Sequence, residues 1–336
     1  MYGSNGVVGG HDLPLTASET IVVGRKGSHG EVNFSDQPCW PIDTTYYVDS
    51  TATKANLHWL KYRLAGAGLN QMNRAAAVPG LNREDAYRVE VLLPPLEEQR
   101  RIAAILDQAE TLRTQRRQAL AHLDTLTQSL FLDMFGDPVA NLKGWEKKPF
   151  GAVCETRLGK MLDAKQQTGA NSRKYLRNAN VQWFRIDTSD LLEMDFDSDA
   201  RETFRLHSGD LLICEGGEPG RAAIWRGEVE GIYYQKALHR GRPKTDLVNA
   251  EYLVWLLWFL SKRGGLGDHV TAATIAHLTG EKLKVMAIPI PPLALQQTFA
   301  TRIQAIEALK ATHRTALAQL DALFASLQQQ AFAGAL

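Results

Sequence analysis

The chain has 336 residues, enough for two domains of ordinary size, with 44% hydrophobic residues, 22% charged residues and a formal net charge of +1. That balance excludes a disordered chain and gives no global basic signature, so any affinity for nucleic acid must rest on locally concentrated charge. Cys39, Cys154 and Cys214 are far apart and form no CxxC pair, which excludes a zinc ribbon and a disulfide framework and fits a reducing compartment such as the cytoplasm.

The first residues, MYGSNGVVGGHDL, have neither a basic n-region nor an apolar h-region, so no signal peptide is expected. ETIVVGRKGSHGEV (19–32) reads as a strand, a Gly-rich tight turn and a second strand, and NLHWLKYRLAG (56–66) as a helix. A long helix is expected over 93–137, opening just after Pro94-Pro95 and uninterrupted by Pro or Gly until Gly136. Residues 138–290 are rich in short strands: LRNANVQWFRI (176–186), DLLICEGGEPGRAAIW (210–225) and GIYYQKALHRGRP (231–243). A helix from Ala250 to about Lys262 follows. Its run YLVWLLWFL is far short of the roughly 20 residues a membrane span needs, so a buried face is the reading. A second long helix is expected over 291–336. The fold class is mixed α/β (α+β).

The two long helices are copies. Shifted by 197 residues they align without a gap, and 17 of the 43 positions from Pro94 to Gly136 are identical, including Gln99/Gln296, Glu110/Glu307, Arg117/Arg314 and Asp124/Asp321. Apolar residues alternate three and four apart through Ile102, Ile105, Ala109, Leu112, Ala119, Leu123, Leu126 and Leu130. The second copy continues with Phe299, Ile306, Leu309, Ala316, Leu320, Leu323 and Leu327. This is a heptad seam, with Arg116 and His313 at one equivalent polar position each that would help fix register. The expectation is an antiparallel coiled coil between the copies, about 37 residues and roughly 55 Å long. The alternative is that each helix packs only on its own domain. Arg100, Arg101, Arg113, Arg116 and Arg117 alternate with Glu97, Glu98, Asp107 and Glu110 and read as a mixed solvated face.

The segments before the helices are also copies. ETIVVGRKGSHGEV matches DLLICEGGEPGRAAI, and NLHWLKYRLAG matches EYLVWLLWFLSKRGG, giving the order domain (1–92), helix (93–137), domain (138–290), helix (291–336). The first domain is shorter and shows no counterpart to Trp145 through roughly Asp199, read as an incomplete N-terminus.

Basic and amide residues cluster in expected loops: Lys160, Lys165, Gln166, Gln167, Arg173, Lys174, Arg177 and Asn178, then Arg221, Gln235, Lys236, His239, Arg240, Arg242 and Lys244. In the first domain the candidates are Arg25, Lys26, Ser28, His29, Thr44 and Thr45. Lys and Arg neutralise phosphates, while Asn, Gln and Arg make bidentate contacts with base edges, so as a group these are candidate DNA contacts. Any one of them alone is as well read as a solvated surface residue. Gly27, Gly30, Gly216, Gly217 and Gly220 would give the loops their tight turns. Asp187, Asp190, Glu193, Asp195, Asp197 and Asp199 read as a solvated outer face turned away from DNA rather than a metal site, because they lack calcium-loop spacing.

Catalytic patterns are missing. GEPGR lacks the GxxxxGK[ST] spacing of a phosphate loop, no GxGxxG opens a helix, and there is no HExxH and no [ND]PP-aromatic tetrapeptide. Asp210, Glu215 and Lys236 make a poor nuclease trio, with Asp210 better placed in a turn entering a strand, and Cys214 reads as core.

Two domains, each followed by a helix opening PPLxxQ, resemble the specificity (S) subunits of type I restriction-modification systems. The resemblance is carried by YGSNGVVGGHD (2–12), GRKGSHGEV (24–32), PIDTTYYV (41–48), LPPLEEQRRIAAILD (93–107), LFLDMFGDP (130–138), KYLRNANVQ (174–182), GDLLICEGGEPGRAAIW (209–225), YQKALHR (234–240) and IPIPPLALQQ (288–297). It implies two target-recognition domains that read a bipartite DNA site, and helices that set the gap and dock methyltransferase (M) and restriction/translocase (R) subunits. It implies no chemistry and no cofactor in this chain, with S-adenosylmethionine and ATP belonging to the partners, and a role in phage defence. A coiled-coil adaptor, or a nuclease or methyltransferase with an unrecognised site, are the competing readings.

Overall fold

The computed structural model describes residues 1–72, 80–163, 167–267 and 277–336. Its first strands are β1 (Tyr2–Gly3), β2 (Gly6–Val7), β3 (Thr20–Gly24), β4 (Val32–Ser35) and β5 (Thr45–Asp49), followed by α1 (Leu57–Ala65), α2 (Arg83–Tyr87) and α3 (Leu96–Phe135). Next come β6 (Lys147–Pro149), α4 (Phe150–Val153), β7 (Cys154–Leu158), β8 (Ser172–Leu176), β9 (Val181–Gln182), β10 (Arg185–Ile186), β11 (Leu192–Asp195) and α5 (Ser198–Phe204). The chain ends with β12 (Leu211–Cys214), β13 (Ala222–Ile224), β14 (Tyr233–Tyr234), β15 (Leu238–Pro243), α6 (Ala250–Lys262), α7 (Gly280–Val285), β16 (Ala287–Pro289) and α8 (Leu293–Ala333). These fall into two compact units, Met1–Ala121 with Ala311–Leu336, and His122–Lys310, so each unit takes part of both long helices. α3 and α8 start just after their Pro-Pro pairs and stop at Gly136 and Gly334, whose φ of 78° and 72° closes a helix end where a Cβ is disfavoured.

In the first unit β3 is buried along its whole length and pairs antiparallel with β4 and β5. The turn between β3 and β4 is closed by Gly24 N–H to Glu31 O at 2.8 Å and Gly30 N–H to Gly24 O at 2.8 Å. Gly30 has φ 77°, and a Cβ there would stand 2.2 Å from the backbone nitrogen of Asn70, so no other residue fits. Asn56 caps α1 by accepting from Trp59 N–H at 2.8 Å. Trp59 and Tyr62 then bury their rings against Ile102, Ala103 and Leu106 of α3 and Phe324, Leu327, Ala331 and Phe332 of α8.

The second unit repeats this plan with more parts. β12 pairs antiparallel with β13 and β15, and β7 adds to β15, giving the order β13-β12-β15-β7, while β11-β8-β14 form a second sheet. Its turn is closed by Cys214 N–H to Arg221 O at 2.7 Å and Gly220 N–H to Cys214 O at 3.0 Å, the same pair of bonds as around Gly24 and Gly30. Asn249 caps α6, which buries eight apolar residues in one core with Phe131, Met134 and Phe135 of α3 and Phe299 and Ile303 of α8. Each large apolar side chain so removed from water contributes about 1.5–3 kcal/mol.

A buried glutamine ties each long helix to the domain before it. Gln99 accepts from Asn56 N–H at 2.8 Å and donates to Pro94 O at 2.8 Å. Gln296 accepts from Asn249 N–H at 2.9 Å and donates to Pro291 O at 2.7 Å. The glutamine of PPLxxQ therefore holds the helix-capping asparagine and the proline carbonyl together.

The long helices pair antiparallel within each unit. In the first, Arg113 and Arg117 reach Asp321, and Arg116 Nη1 lies 3.2 Å from His313 Nδ1. In the second, Lys310 Nζ reaches Asp124 at 2.8 Å and Phe131 packs on Phe299. The seam differs from the expected one at alternate positions. It runs Ile102, Leu106, Ala109, Arg113, Arg116, Leu120, Leu123, Thr127, Leu130, Met134, and through the positions 197 residues on. Ile102, Ala109, Phe299 are buried and Ile105, Leu123, Leu130, Ile306, Leu320 and Leu327 half-buried, whereas Leu112, Leu126, Leu309 and Leu323 are 42–50% exposed. The polar residues Arg113 and Lys310 take the interior positions because each finds two carboxylates there: Glu110 and Asp321, and Glu307 and Asp124. Arg113 is thus drawn into the seam, while Arg116 and Arg117 stay exposed and meet their partners at its edge.

The expected gap in the first domain is narrowed at one point. Tyr2 bridges Pro41 as Lys160 bridges Gln235, both in parallel, so Tyr2 stands where Lys160 stands. Among its described residues the first unit otherwise has no match to β7, to β8–β11 or to α5, so most of the stretch from Trp145 to Asp199 has no counterpart there. No helix among the described residues is long and apolar enough to cross a membrane.

Candidate nucleic-acid interface

In the second unit the backbone gathers several of the candidate residues. Lys160 N–H donates to Tyr234 O at 3.2 Å, Lys236 N–H to Lys160 O at 2.8 Å, and Gln235 N–H to Leu176 O at 3.1 Å. Arg177 and Asn178 directly follow Leu176. Asn178 Nδ2 then donates to Gly216 O at 3.0 Å, and Arg221 Nη2 donates to Asn178 O at 3.2 Å. Lys160, Arg177, Asn178, Arg221, Gln235 and Lys236 therefore share one loop cluster at the end of the β12–β15 sheet. Glu215 N–H donates to Ala237 O at 2.9 Å, tying the Gly-rich turn to the 235–237 turn. Ala237 holds φ 96°, a conformation costly for a residue with a Cβ, and nothing in its sequence marks it.

Lys174 and Lys236 are exposed, and Arg173 is half-buried with its guanidinium on Ser172 O at 2.6 Å. Gln166 and Lys165 lie outside the described residues. Gln167 accepts from Asp195 N–H at 2.8 Å, so its amide carbonyl is occupied within the domain.

His239 and Arg240 are corrected by the structure. β15 is covered on both faces, and the two residues are 1% and 3% exposed. His239 Nε2 meets Leu278 O at 2.9 Å, and burial holds its pKa below the ordinary histidine value. Arg240 pairs with Glu155 and donates to Thr203 O. Both hold the domain together and present nothing to a groove. Arg242 likewise forms a two-pronged pair with buried Asp210, at 2.7 and 2.8 Å. Asp210 also accepts from His207 N–H at 2.8 Å, which takes it out of any nuclease trio.

The acidic stretch is not turned away from the basic residues. Asp190 pairs with Arg177, Asp197 lies 3.9 Å from Lys160 Nζ and caps α5, and Glu193 accepts from Ser172. Asp195 accepts from the backbone of Thr168, Gly169 and Asn171. These carboxylates are loop-builders that preset basic side chains, a role the charge pattern did not reveal. No group of three or more metal-ligating side chains occurs among the described residues.

The first unit shows a smaller version. Arg25, Lys26 and Ser28 are exposed on the Gly-rich turn, and Arg25 and Lys26 donate from their backbone to Thr44 O at 2.8 and 3.2 Å. Thr44 and Thr45 are half-buried, with Thr45 Oγ1 donating to Ile42 O at 2.7 Å. His29 is half-buried, its Nδ1 3.3 Å from Gly27 O. Burial pushes the thiols of Cys154 and Cys214 up to about 12 and about 11, so neither is a nucleophile near neutral pH.

Residues 3–122 and 142–322 match the family described as type I restriction modification DNA specificity domain. The chain belongs to this family. It is similar to the specificity subunit of the type I restriction enzyme MjaVIII of Methanocaldococcus jannaschii, with 22% identity over 279 residues. That match takes in 77% of this chain and 65% of the relative, so the chain spans just under two thirds of that protein's length. Its fold is that of the S subunit of a type I restriction-modification system from M. genitalium, with a TM-score of 0.61 at 14% identity over 99% of this chain and 87% of the other. A chain of another type I R-M system matches with a TM-score of 0.58 at 18% identity, covering 95% of this chain and 82% of that one.

Proposed function

We propose that this chain is the DNA-reading subunit of a type I restriction-modification system, with no chemistry of its own. Each domain reads one half of a bipartite double-stranded site, and the paired helices set the gap. The observation that supports this best is the duplicated platform: in both units the same glycine-closed turn and the same strand pair carry basic residues, and each platform is tied by the same glutamine to the same pair of helices. Exposed Lys174, Lys236, Arg25 and Lys26 supply phosphate contacts, while the cluster around Arg177, Asn178, Arg221 and Gln235 supplies base contacts.

M subunits dock on the helices and bring R subunits, and S-adenosylmethionine and ATP are bound by those partners. Leu112 and Leu323 in the first unit support this reading. They flank the seam on the side opposite the Arg117–Asp321 pair and leave apolar surface uncovered, as Leu126 and Leu309 do in the second. The place of action is the cytoplasm.

The test is DNA binding by the chain assembled with its methyltransferase. The double variant Lys174→Ala/Lys236→Ala should weaken binding and lower the slope of log K against log salt by about 1–2. An unchanged slope would remove these contacts from the proposal, and an assembled chain with no sequence preference would leave the adaptor reading.

A further inference from the structure

The geometry points to Arg116 as the residue that decides which helix α3 pairs with, by refusing a second copy of α3. The duplication makes this a real choice, because α3 and α8 carry the same seam and each could in principle pair antiparallel with itself in another chain. The two ion-pair layers do not discriminate. Arg113 meets Asp321, and Lys310 meets Asp124. Because 113 maps onto 310 and 124 onto 321 under the 197-residue shift, an α3–α3 pair would join Arg113 to Asp124 twice, and an α8–α8 pair Lys310 to Asp321 twice. The layers further out differ in size, with Thr127 and Phe131 of α3 against Phe324 and Gln328 of α8, but none of them sets like charges together. In-register parallel self-pairing is already refused, since it sets Arg113 beside Arg113.

One layer differs. Arg116 faces His313 with Nη1 3.2 Å from Nδ1, and 116 maps onto 313 under the same shift. This layer alone joins two equivalent positions, so in an α3–α3 pair residue 116 would meet itself. Two guanidiniums would then share a site now held by one guanidinium and an imidazole nitrogen. At this exposed position such a like-charge contact disfavours the pairing by about tenfold. One block is enough for both helices: a dimer in which α8 pairs with α8 leaves the two α3 helices only each other. This inference goes beyond the DNA-reading proposal and does not depend on what the domains bind.

The full chain carrying Ala119→Cys tests it. The three native cysteines are buried, and two copies of residue 119 in an α3–α3 pair would lie about 9 Å apart along the axis, within reach of a bismaleimide. In a dimer that exchanges α3 for α8, the two copies of 119 fall in different helix pairs and do not link. Chains refolded together should give little 119–119 dimer with Arg116 and about tenfold more with Arg116→His or Arg116→Leu. Arg116→Lys should stay low, as should the exchange Arg116→His/His313→Arg, which moves the block to α8. Equal yields for Arg116 and Arg116→His, at matched circular dichroism and melting, would overturn the inference, and so would a high yield for Arg116→Lys.

Discussion

The two domains keep one skeleton and differ in what they hang on it. At the same point of the central strand pair, Tyr46 donates its hydroxyl to Leu81 O at 3.2 Å in the first, and His239 meets Leu278 O at 2.9 Å in the second. The strap after the domain helix is fastened in both cases, by different chemistry. Where the first unit places Asp107 beneath α1, the second has Gln304, and where the second places Phe131 in its core, the first has Gln328 donating to Tyr62 O at 3.0 Å. What persists is the set of backbone bonds that geometry demands. What varies is any side chain for which another group can satisfy the same partner.

That comparison can be broken most forcefully at Phe131. It is fully buried between α6 and α8, so Phe131→Ala should cost about 4 kcal/mol, whereas its counterpart Gln328→Ala should cost about 1 kcal/mol. Denaturant titration with hydrogen exchange resolved by unit would check both, and equal losses would show the cores to be alike after all. The shared lock gives the next largest effect. Gln99→Ala and Gln296→Ala each strand an asparagine N–H and a proline carbonyl and should each cost about 2 kcal/mol, read as loss of amide protection at the starts of α1 and α6. A loss in one unit only would mean the lock is not truly duplicated.

The smallest effect separates the units by acid. Burial tends to raise the pKa of Asp107, but the Tyr62 hydroxyl, Lys61 and His58 outweigh it and hold it below the ordinary aspartate value. A carboxyl depressed in the folded state stabilises above its unfolded pKa and loses that contribution as pH falls through the folded one. The first unit should therefore weaken below about pH 4 by about 1 kcal/mol, a figure discounted for the partial exposure of this carboxylate. Asp107→Asn should flatten that part of the profile in thermal melts, and an unchanged profile would sever the link.

The sequence made the long helices legible because nothing between Leu96 and Phe135, or between Leu293 and Ala333, can stop a helix. Their seam was half legible. Counting only apolar residues favours Leu112 and Leu126, but the folded pair turns Leu106 and Arg113 inward, since an arginine with two carboxylates is well satisfied there. Composition picked out Lys160, Arg177 and Asn178 in one stretch and Arg221, Gln235 and Lys236 in another, but not that backbone bonds join the two stretches. The burial of His239 and Arg240 was not legible, because a strand covered on both faces shows no alternation to read. Nor did composition show that Asp190 and Asp197 face the basic residues they were expected to avoid, since the pairing depends on how β8 and β11 bring distant loops together.

The glutamine that fastens Asn249 and Pro291 has a consequence for how such chains change over generations. The bonds of that joint lie wholly between one domain and the start of the helix that follows it, and the same bonds recur around Asn56 and Pro94. A gene segment exchanged between those boundaries arrives with its own fastening intact. Recombination can therefore replace the loops wholesale while the splice itself stays silent.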